Sequence, residues 1–310
     1  MIDGHVHLEN GDLSVDYAMQ FVDAAVKKGI RTLQILDHTH RFLEFAPMYA
    51  GVRSASTLQA DWLKKKTKDH LSTYHHLIET MKQMDLPIEV RFGLEVCYTP
   101  EAEPFLRDIL SQYPYDFLVG SVHSVDGILY DMPFSRELLW DRYPADGIYR
   151  RYYELIEQLM RSGLFTQVAH PDTIKLFDIY PSYDLVPTYE KLAKLAVEQD
   201  LYMEDNTGCH YRYHTADIGL SDAFLRVLID QQAKIMTASD AHVPEHVGNF
   251  IPEACEKSRQ REAQRGASSA FSYARNSVRH AGSRYPRMRI PSSVSSRCKR
   301  AAWACSRGSR

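Results

Sequence analysis

The chain has 310 residues, 44% hydrophobic and 25% charged, with a formal net charge of −3, which is ordinary for a globular protein with room for one large α/β domain. No stretch approaches the roughly 20 apolar residues that span a bilayer. Residues 257–310 hold 14 Lys and Arg against one acidic residue, leaving −16 on residues 1–256, so the body does not resemble a non-specific nucleic-acid binder.

Strand-length apolar runs alternate with amphipathic stretches along residues 1–256. The first strand is Met1–His7, followed by a helix over Asp16–Lys28 with Phe21, Val22, Ala25 and Val26 on one face and Gly29 as its stop. Thr32–Asp37 is the second strand, and Thr57–Met84 reads as one long helix. Ile88–Glu95 is the third strand, followed by a helix over Pro104–Gln112 with proline in its first turn. A fourth strand runs from Asp116 to His123. The helix Gly147–Arg161 precedes a fifth strand, Phe165–Ala169, and the helix Val186–Gln199 precedes a sixth, Leu201–Asp205. A last helix, Ser221–Gln232, is expected to start on Ser221 as N-cap and leads into Ile235–Ser239. Seven strand–helix repeats imply a parallel sheet. Because Leu33-Gln34-Ile35-Leu36 and Phe117-Leu118-Val119 are apolar without clean alternation, helices should cover the outside. A closed barrel is the expected architecture, with an open doubly wound sheet second.

From Lys257 the texture changes to Arg, Ser and Ala without an apolar period, so residues 257–310 are expected to be a separate, poorly ordered basic tail. It reads either as a basic arm or as the unselected product of a frameshift, and the functional reading rests on 1–256. The opening residues lack a signal peptide's charged and apolar regions. Five scattered cysteines without CxxC spacing point to the cytoplasm. No GxGxxG or Walker-type loop supports a nucleotide cofactor.

The chemistry lies where strands end. The first ends in His5-Val6-His7, the second in Asp37-His38-Thr39-His40, the third at Glu95, the fourth at His123, the fifth at His170 and the seventh in Asp240-Ala241-His242. In a β/α barrel these ends share the face that carries active sites. Residues two apart in a strand point the same way, so His5 and His7 can face one centre. Imidazole and carboxylate suit borderline-hard divalent ions, and without a cation such a cluster would repel itself. Eight candidate ligands (His5, His7, His38, Glu95, His123, His170, Asp240 and His242) exceed one tetrahedral ion's needs. They suit two or three metals, an arrangement that clamps the attacking and leaving oxygens of phosphoryl transfer.

The motifs Asp3-Gly-His-Val-His7, Asp37-His38, Gly93-Leu-Glu95, Gly120-Ser-Val-His123, Ala169-His-Pro-Asp172, Asn206-Thr-Gly208 and Ser239-Asp-Ala-His242 run in order over residues 1–252. In them the body resembles the PHP (polymerase and histidinol phosphatase) family, nearest its histidinol-phosphate phosphatase branch. The resemblance implies a distorted (β/α)7 barrel with parallel strands and outer helices, and a centre of two or three Mn, Fe or Zn ions. It places His5, His7, Glu95 and Asp240 at one metal, with Glu95 bridging to a second, and matches His38, His123, His170 and His242 to the remaining ligands. Many members carry another His shortly after HxH. Here that stretch is Leu8–Leu13, where Glu9, Asn10 or Asp12 stands as a substitute oxygen ligand. A basic residue in the loop after strand six makes Arg212 the expected phosphate contact, with His40 and Arg41 also assigned to the substrate side. Asp240 or His242 is the expected proton donor to the leaving oxygen.

The expected function is hydrolysis of a small-molecule phosphate ester, foremost L-histidinol phosphate, in the cytoplasm, with no membrane partner and an open oligomeric state. Asp126, Asp131 and Asp172 are candidates to meet that substrate's imidazole and amine. Competing readings are a PHP nuclease or nucleotide phosphatase, for which −16 supplies no basic groove, an inactive metal-binding regulatory protein, and an amidohydrolase, which would want a bridging lysine or carboxylate where strand four offers His123.

Overall fold

The structure is a computed structural model that describes residues 1–279, with side chains through Arg265. Seven strands form one parallel sheet in chain order: β1 (Ile2–His7), β2 (Thr32–Leu36), β3 (Glu89–Cys97), β4 (Phe117–Ser121), β5 (Gln167–Val168), β6 (Tyr202–Asn206) and β7 (Lys234–Ala238). Every neighbouring pair is parallel. Closure comes through a parallel bridge between Val6 and Ala241, with His7 N donating to Ala241 O at 2.7 Å and Asp240 N to His5 O at 2.9 Å. Sequential order and closure are those of a distorted seven-stranded barrel, not of a doubly wound sheet.

Helices follow the strands on the outside, as short right-handed crossovers require. Val15–Lys27 begins on Ser14, whose hydroxyl accepts from Tyr17 N at 3.3 Å, and stops before Gly29 at φ +71°. Its Ala18, Phe21, Val22 and Ala25 are buried. Glu103–Ser111, Ala145–Arg161 and Val186–Glu198 bury one face each in the same way. Inside the barrel the backbone is crowded: a Cβ on Gly4 would lie 2.4 Å from Met236 Cγ, so only glycine fits between His5 and Asp3.

The structure departs from sequence expectation in four places. The long helix after β2 is two helices, Thr57–Lys66 and Leu71–Lys82. Between them Lys68 N and Asp69 N donate to Arg41 O, and Leu43 N donates to Asp69 O at 2.9 Å, pulling the chain out of helical register. β3 runs on to Cys97, so Glu95 stands inside a strand rather than at its end. Ser221 occupies the N-cap of Asp222–Asp230, but its side chain makes no capping bond; its backbone N–H instead donates to Asp172 at 2.8 Å. Finally, the boundary at 256/257 falls inside a helix, Ile251–Arg279. Ser258 is buried, Lys257 and Arg261 both pair with Asp222, and Arg265 donates to Ile229 O at 3.1 Å. These contacts tie residues 257–265 to the body, while the expectation for 280–310 lies outside the described residues. No helix among the described residues is long and apolar enough to cross a membrane.

Candidate metal centre

The Glu95 carboxylate is fully buried at the C-terminal mouth of the barrel. The register of β3 aims it inward: its backbone N–H donates to Asp37 O at 3.0 Å. Oε1 lies 2.7 Å from His123 Nε2 and 3.2 Å from His170 Nε2. Oε2 lies 3.1 Å from His5 Nε2, 3.1 Å from His38 Nε2 and 3.3 Å from His7 Nε2. Five imidazoles thus surround one carboxylate. Asp240 Oδ1 joins them at 3.3 Å from His7 Nε2 and 3.9 Å from His5 Nε2, and His242 stacks obliquely on His7 with ring centroids 4.3 Å apart. All eight residues expected as ligands from sequence are brought together.

The donor set fits divalent cations. His5, His7 and Asp240 present ligand atoms within 4.8 Å of one another, and so do His38, Glu95 and His123. His5 Nδ1 sits 2.8 Å from Glu204 Oε1, and His123 Nδ1 sits 2.6 Å from Asp131 Oδ2. A carboxylate accepts, so Glu204 and Asp131 hold a proton on Nδ1 of each ring, and loss of the other proton would leave the Nε2 lone pair facing the centre, the tautomer that a metal ligand needs. Glu204 is completely buried and also accepts from Gln167 Nε2 at 2.7 Å, His170 N at 3.0 Å and Asn206 Nδ2 at 2.9 Å. Sequence reasoning passed over it. Its signal was a carboxylate in the middle of a strand buried on both faces, a position tolerated only when the charge is partnered.

Burial opposes every charge here, and neighbours decide the outcome. For Glu95, burial is outweighed by His38, His5 and His123, which hold the carboxyl well below its usual range. Burial likewise disfavours charged His5 and His123, yet Glu204 with Glu95, and Asp131 with Glu95, raise them well above an ordinary imidazole. For His7 the balance is reversed: burial first, then His38 and His242, outweigh the hydrogen bond to Asp240 and push it well down. Asp240 is held well below its usual range because Arg212 and His7 overcome burial. His242 is pushed down to about 4, by burial first. An ionised Asp240 and a neutral His242 are in the protonation states of ligands, so the proton-donor role expected of them from sequence is not what these shifts favour.

A cavity of about 410 Å³ opens over the centre. His38, His123, His170, Asp240 and His242 form its floor, and Tyr49, Val52, Trp62, Met132, Leu176 and Tyr213 give it an apolar wall. Arg212, from the short helix Gly208–Tyr213 after β6, stands on this wall where the sequence placed it. Its Nη2 lies 2.7 Å from Asp240 Oδ2, and its buried Nε has no partner. The close approach needs Gly208, where a Cβ would come within 2.8 Å of Arg212 Nη2. His40 also lines the cavity, beside Glu9.

Arg41 does not. Its side chain is only 2% exposed, and Nε donates to Asp69 at 2.6 Å, Nη1 to Asp37 at 2.7 Å and Leu8 O at 2.8 Å, and Nη2 to Gly11 O at 2.9 Å. A guanidinium with those bonds made and no path to the cavity is a structural cation, correcting its assignment to the substrate side. Of the acidic candidates, Asp131 lines the cavity, Asp172 is tied to Lys175 at 2.9 Å below it, and Asp126 pairs with Arg151 at 2.8 Å on the surface.

Comparison with known proteins places this geometry. The family model described as PHP domain matches residues 3–208. A protein of Deinococcus radiodurans named "Probable histidinol-phosphatase" is 28% identical over 262 residues, covering 84% of this chain and 93% of its own. A protein of the same name from Schizosaccharomyces pombe is 23% identical, covering 73% and 75%. Among solved structures, the hisK protein of Listeria monocytogenes superposes with a TM-score of 0.66 at 18% identity, covering 82% of this chain and 99% of its own. Histidinol phosphate phosphatase of Lactococcus lactis, complexed with zinc, L-histidinol and phosphate, gives a TM-score of 0.53 at 16% identity, covering 85% and 92%. At these identities the two structures speak for the fold.

Proposed function

Since the chain belongs to the PHP-domain family, we propose that it is a metal-dependent phosphomonoesterase that converts L-histidinol phosphate to L-histidinol and inorganic phosphate. The observation that carries the reading is Glu95, a buried carboxylate within 3.3 Å of five imidazole nitrogens beneath an open cavity. The names of the relatives and the ligands of the Lactococcus lactis structure supply the substrate. His5, His7 and Asp240 with Glu95 would hold one divalent ion, and His38, His123 and His170 with Glu95 would hold a second. Mn, Fe and Zn all suit this donor set. When bound, such ions supply an activated water and charge stabilisation on the phosphoryl oxygens.

The remaining work falls to the chain itself. Arg212 is placed to take the phosphate because it lines the cavity and its Nε has no partner, while Nη1 and Nη2 are held by Asp240 and His242. Glu204 and Asp131 orient His5 and His123. The apolar wall accepts the flat face of an imidazole, and Asp131 Oδ1, buried without a partner, is available to a cationic group of the substrate. The cavity of about 410 Å³ and the −16 body favour a small ester over a nucleic acid. The biosynthetic role belongs in the cytoplasm, and Cys97 and Cys209 as free thiols agree with a reducing compartment.

The test is phosphate release from histidinol phosphate, an aryl phosphate and a dinucleotide, with Mn, Fe or Zn supplied and Glu95→Ala as control. The expected result is metal-dependent turnover strongest on histidinol phosphate and abolished in the control. Preference for the dinucleotide, or turnover that survives Glu95→Ala, would overturn the proposal.

A further inference from the structure

Two walls of the cavity come from segments that lie far apart in the sequence. The first is residues 43–68, which leave the barrel after β2 and return to their point of departure: Phe42 and Asp69 form a parallel bridge, and Lys68 N donates to Arg41 O at 2.9 Å. Its helices, Ala50–Ala55 and Thr57–Lys66, bring Val52, Trp62 and Lys66 to the cavity. The second is a hairpin directly after His123, Ser124–Val125 against Ile128–Leu129, which turns at Asp126 and Gly127 with φ of +49° and +81°. It brings Ser124 and Leu129 to the cavity and leads into Asp131, the partner of His123 Nδ1. A two-stranded hairpin is marginally stable by itself, so its position is set by what it is fastened to.

Gln59 fastens one wall to the other. Its side chain is completely buried and stands in the first turn of Thr57–Lys66. Nε2 donates to Val52 O at 2.6 Å within its own segment and to Gly127 O at 3.0 Å in the hairpin, while Oε1 accepts from Leu129 N at 2.8 Å. The amide thus spends both hydrogens and its oxygen on main-chain groups, a combination that a carboxylate or a hydroxyl cannot supply. Among the described residues these are the only hydrogen bonds between 43–68 and the hairpin. From the other side the hairpin is held by Arg151 on Asp126, an exposed pair of little strength. Trp62 and Lys66, three and seven residues on, share the helix face of Gln59, so a fixed Gln59 fixes them.

We propose that Gln59 is a positioning residue that latches the two walls together and so sets the fit of the cavity to a small phosphate ester. Gln59 itself does not line the cavity. All eight candidate metal ligands lie outside both segments, so breaking the latch loosens the hold on the ester and leaves the cation centre in place.

This inference rests on the phosphomonoesterase reading above, and the two fail differently. Full-length wild type, Gln59→Met and Gln59→Glu, with Mn or Zn supplied, are assayed for kcat and KM on histidinol phosphate and on the bulkier naphthyl phosphate, well below each melting midpoint. Gln59→Met keeps the length of the side chain and removes all three bonds. KM for histidinol phosphate should rise about 5- to 10-fold, the scale of one or two neutral hydrogen bonds, with kcat within about twofold. Bound metal should be unchanged, and the naphthyl ester should lose less. Gln59→Glu, neutralised by burial and able to donate only once, should fall between wild type and Gln59→Met. A lowered melting temperature with unaltered KM and unaltered preference between the esters would make Gln59 a purely structural residue and overturn the latch. Amide exchange in wild type tests the latch without any substitution: Leu129 N–H should be protected, and exchange at the rate of an unfolded peptide would overturn it. Wild type that cleaves neither ester would overturn the phosphomonoesterase reading, and the role given to Gln59 with it.

Discussion

Replacing Arg41 with methionine separates a structural cation from a substrate contact. The substitution leaves the completely buried Asp37 without its counter-charge and strips the Leu8 and Gly11 carbonyls of a donor. Removing one partner of a buried ion pair costs about 3–5 kcal/mol. Two observations place this case at the lower end. Asp69 is 29% exposed, so water screens and resolvates its share. Burial already pushes Asp37 up to about 7 even beside Arg41, so without the guanidinium Asp37 protonates near neutral pH and sheds its charge. A loss of about 3 kcal/mol, at about 2–4 °C per kcal/mol for a domain of this size, lowers the melting temperature by roughly 6–12 °C. The assay is thermal melting of metal-free wild type and Arg41→Met, followed by KM for the phosphate ester well below either midpoint. Lower stability with an unchanged KM is expected. An unshifted melting temperature with a raised KM would refute the reasoning and return Arg41 to the substrate.

Three further outcomes are expected. Arg212→Lys keeps the charge but loses the fork, and should lower kcat/KM about 10- to 100-fold, the worth of one charged hydrogen bond of about 1.5–3 kcal/mol, with little change in melting; unaltered steady-state kinetics would remove Arg212 from the site. Glu204→Gln should weaken metal binding about 10- to 100-fold, because the amide cannot accept from His5 and Gln167 and from His170 and Asn206 all at once, and Glu204→Asp should not restore it fully; wild-type affinity measured by chelator competition would show that His5 and His170 orient without it. Burial raises Asp205 from 3.8 to about 6, chiefly against the Leu220 N–H that stabilises its anion. The folded state therefore holds a proton that the unfolded chain releases, and this stability is full below about 4 and lost as pH rises through about 6, worth roughly 3 kcal/mol. Denaturant midpoints from pH 4 to 8 should fall less steeply in Asp205→Asn, and parallel curves would contradict the assignment.

The repeated coincidence of strand ends with histidine and carboxylate was legible because a parallel barrel gathers those ends on one face, whatever the helices between them do. Individual roles were less legible. Arg41 follows His38 and His40 and so looked like part of the site, but its direction depends on Asp69, 28 residues away, which stops the helix that periodicity extends from Thr57 to Met84. Glu204 carries no spacing signal, since its partners lie on β1 and β5, and only the sheet order brings them together. The helix across residue 257 lacks apolar periodicity because polar contacts from Lys257 and Arg261 to Asp222 fasten it, and hydrophobic patterning cannot report an ion pair.

The same long-range contacts explain how the ligands keep a geometry that their own backbone disfavours. His170 and Asp240 both have positive φ, +24° and +55°, in a region where a residue with a Cβ gives up about 1–3 kcal/mol. Each is held there by a hydrogen bond through its own N–H, His170 to Glu204 Oε2 at 3.0 Å and Asp240 to His5 O at 2.9 Å. Both acceptors belong to the centre itself: His5 is one of the proposed ligands, and Glu204 accepts from its Nδ1. The strained residues and the residues that hold them thus form one closed set linking β1, β5, β6 and the chain after β7. This closed set costs backbone strain that glycine at 170 or 240 would relieve only by removing a donor. It does fix the directions of His170 and Asp240 toward Glu95 against rotation of the backbone, which a centre that must hold its donors around shared cations requires.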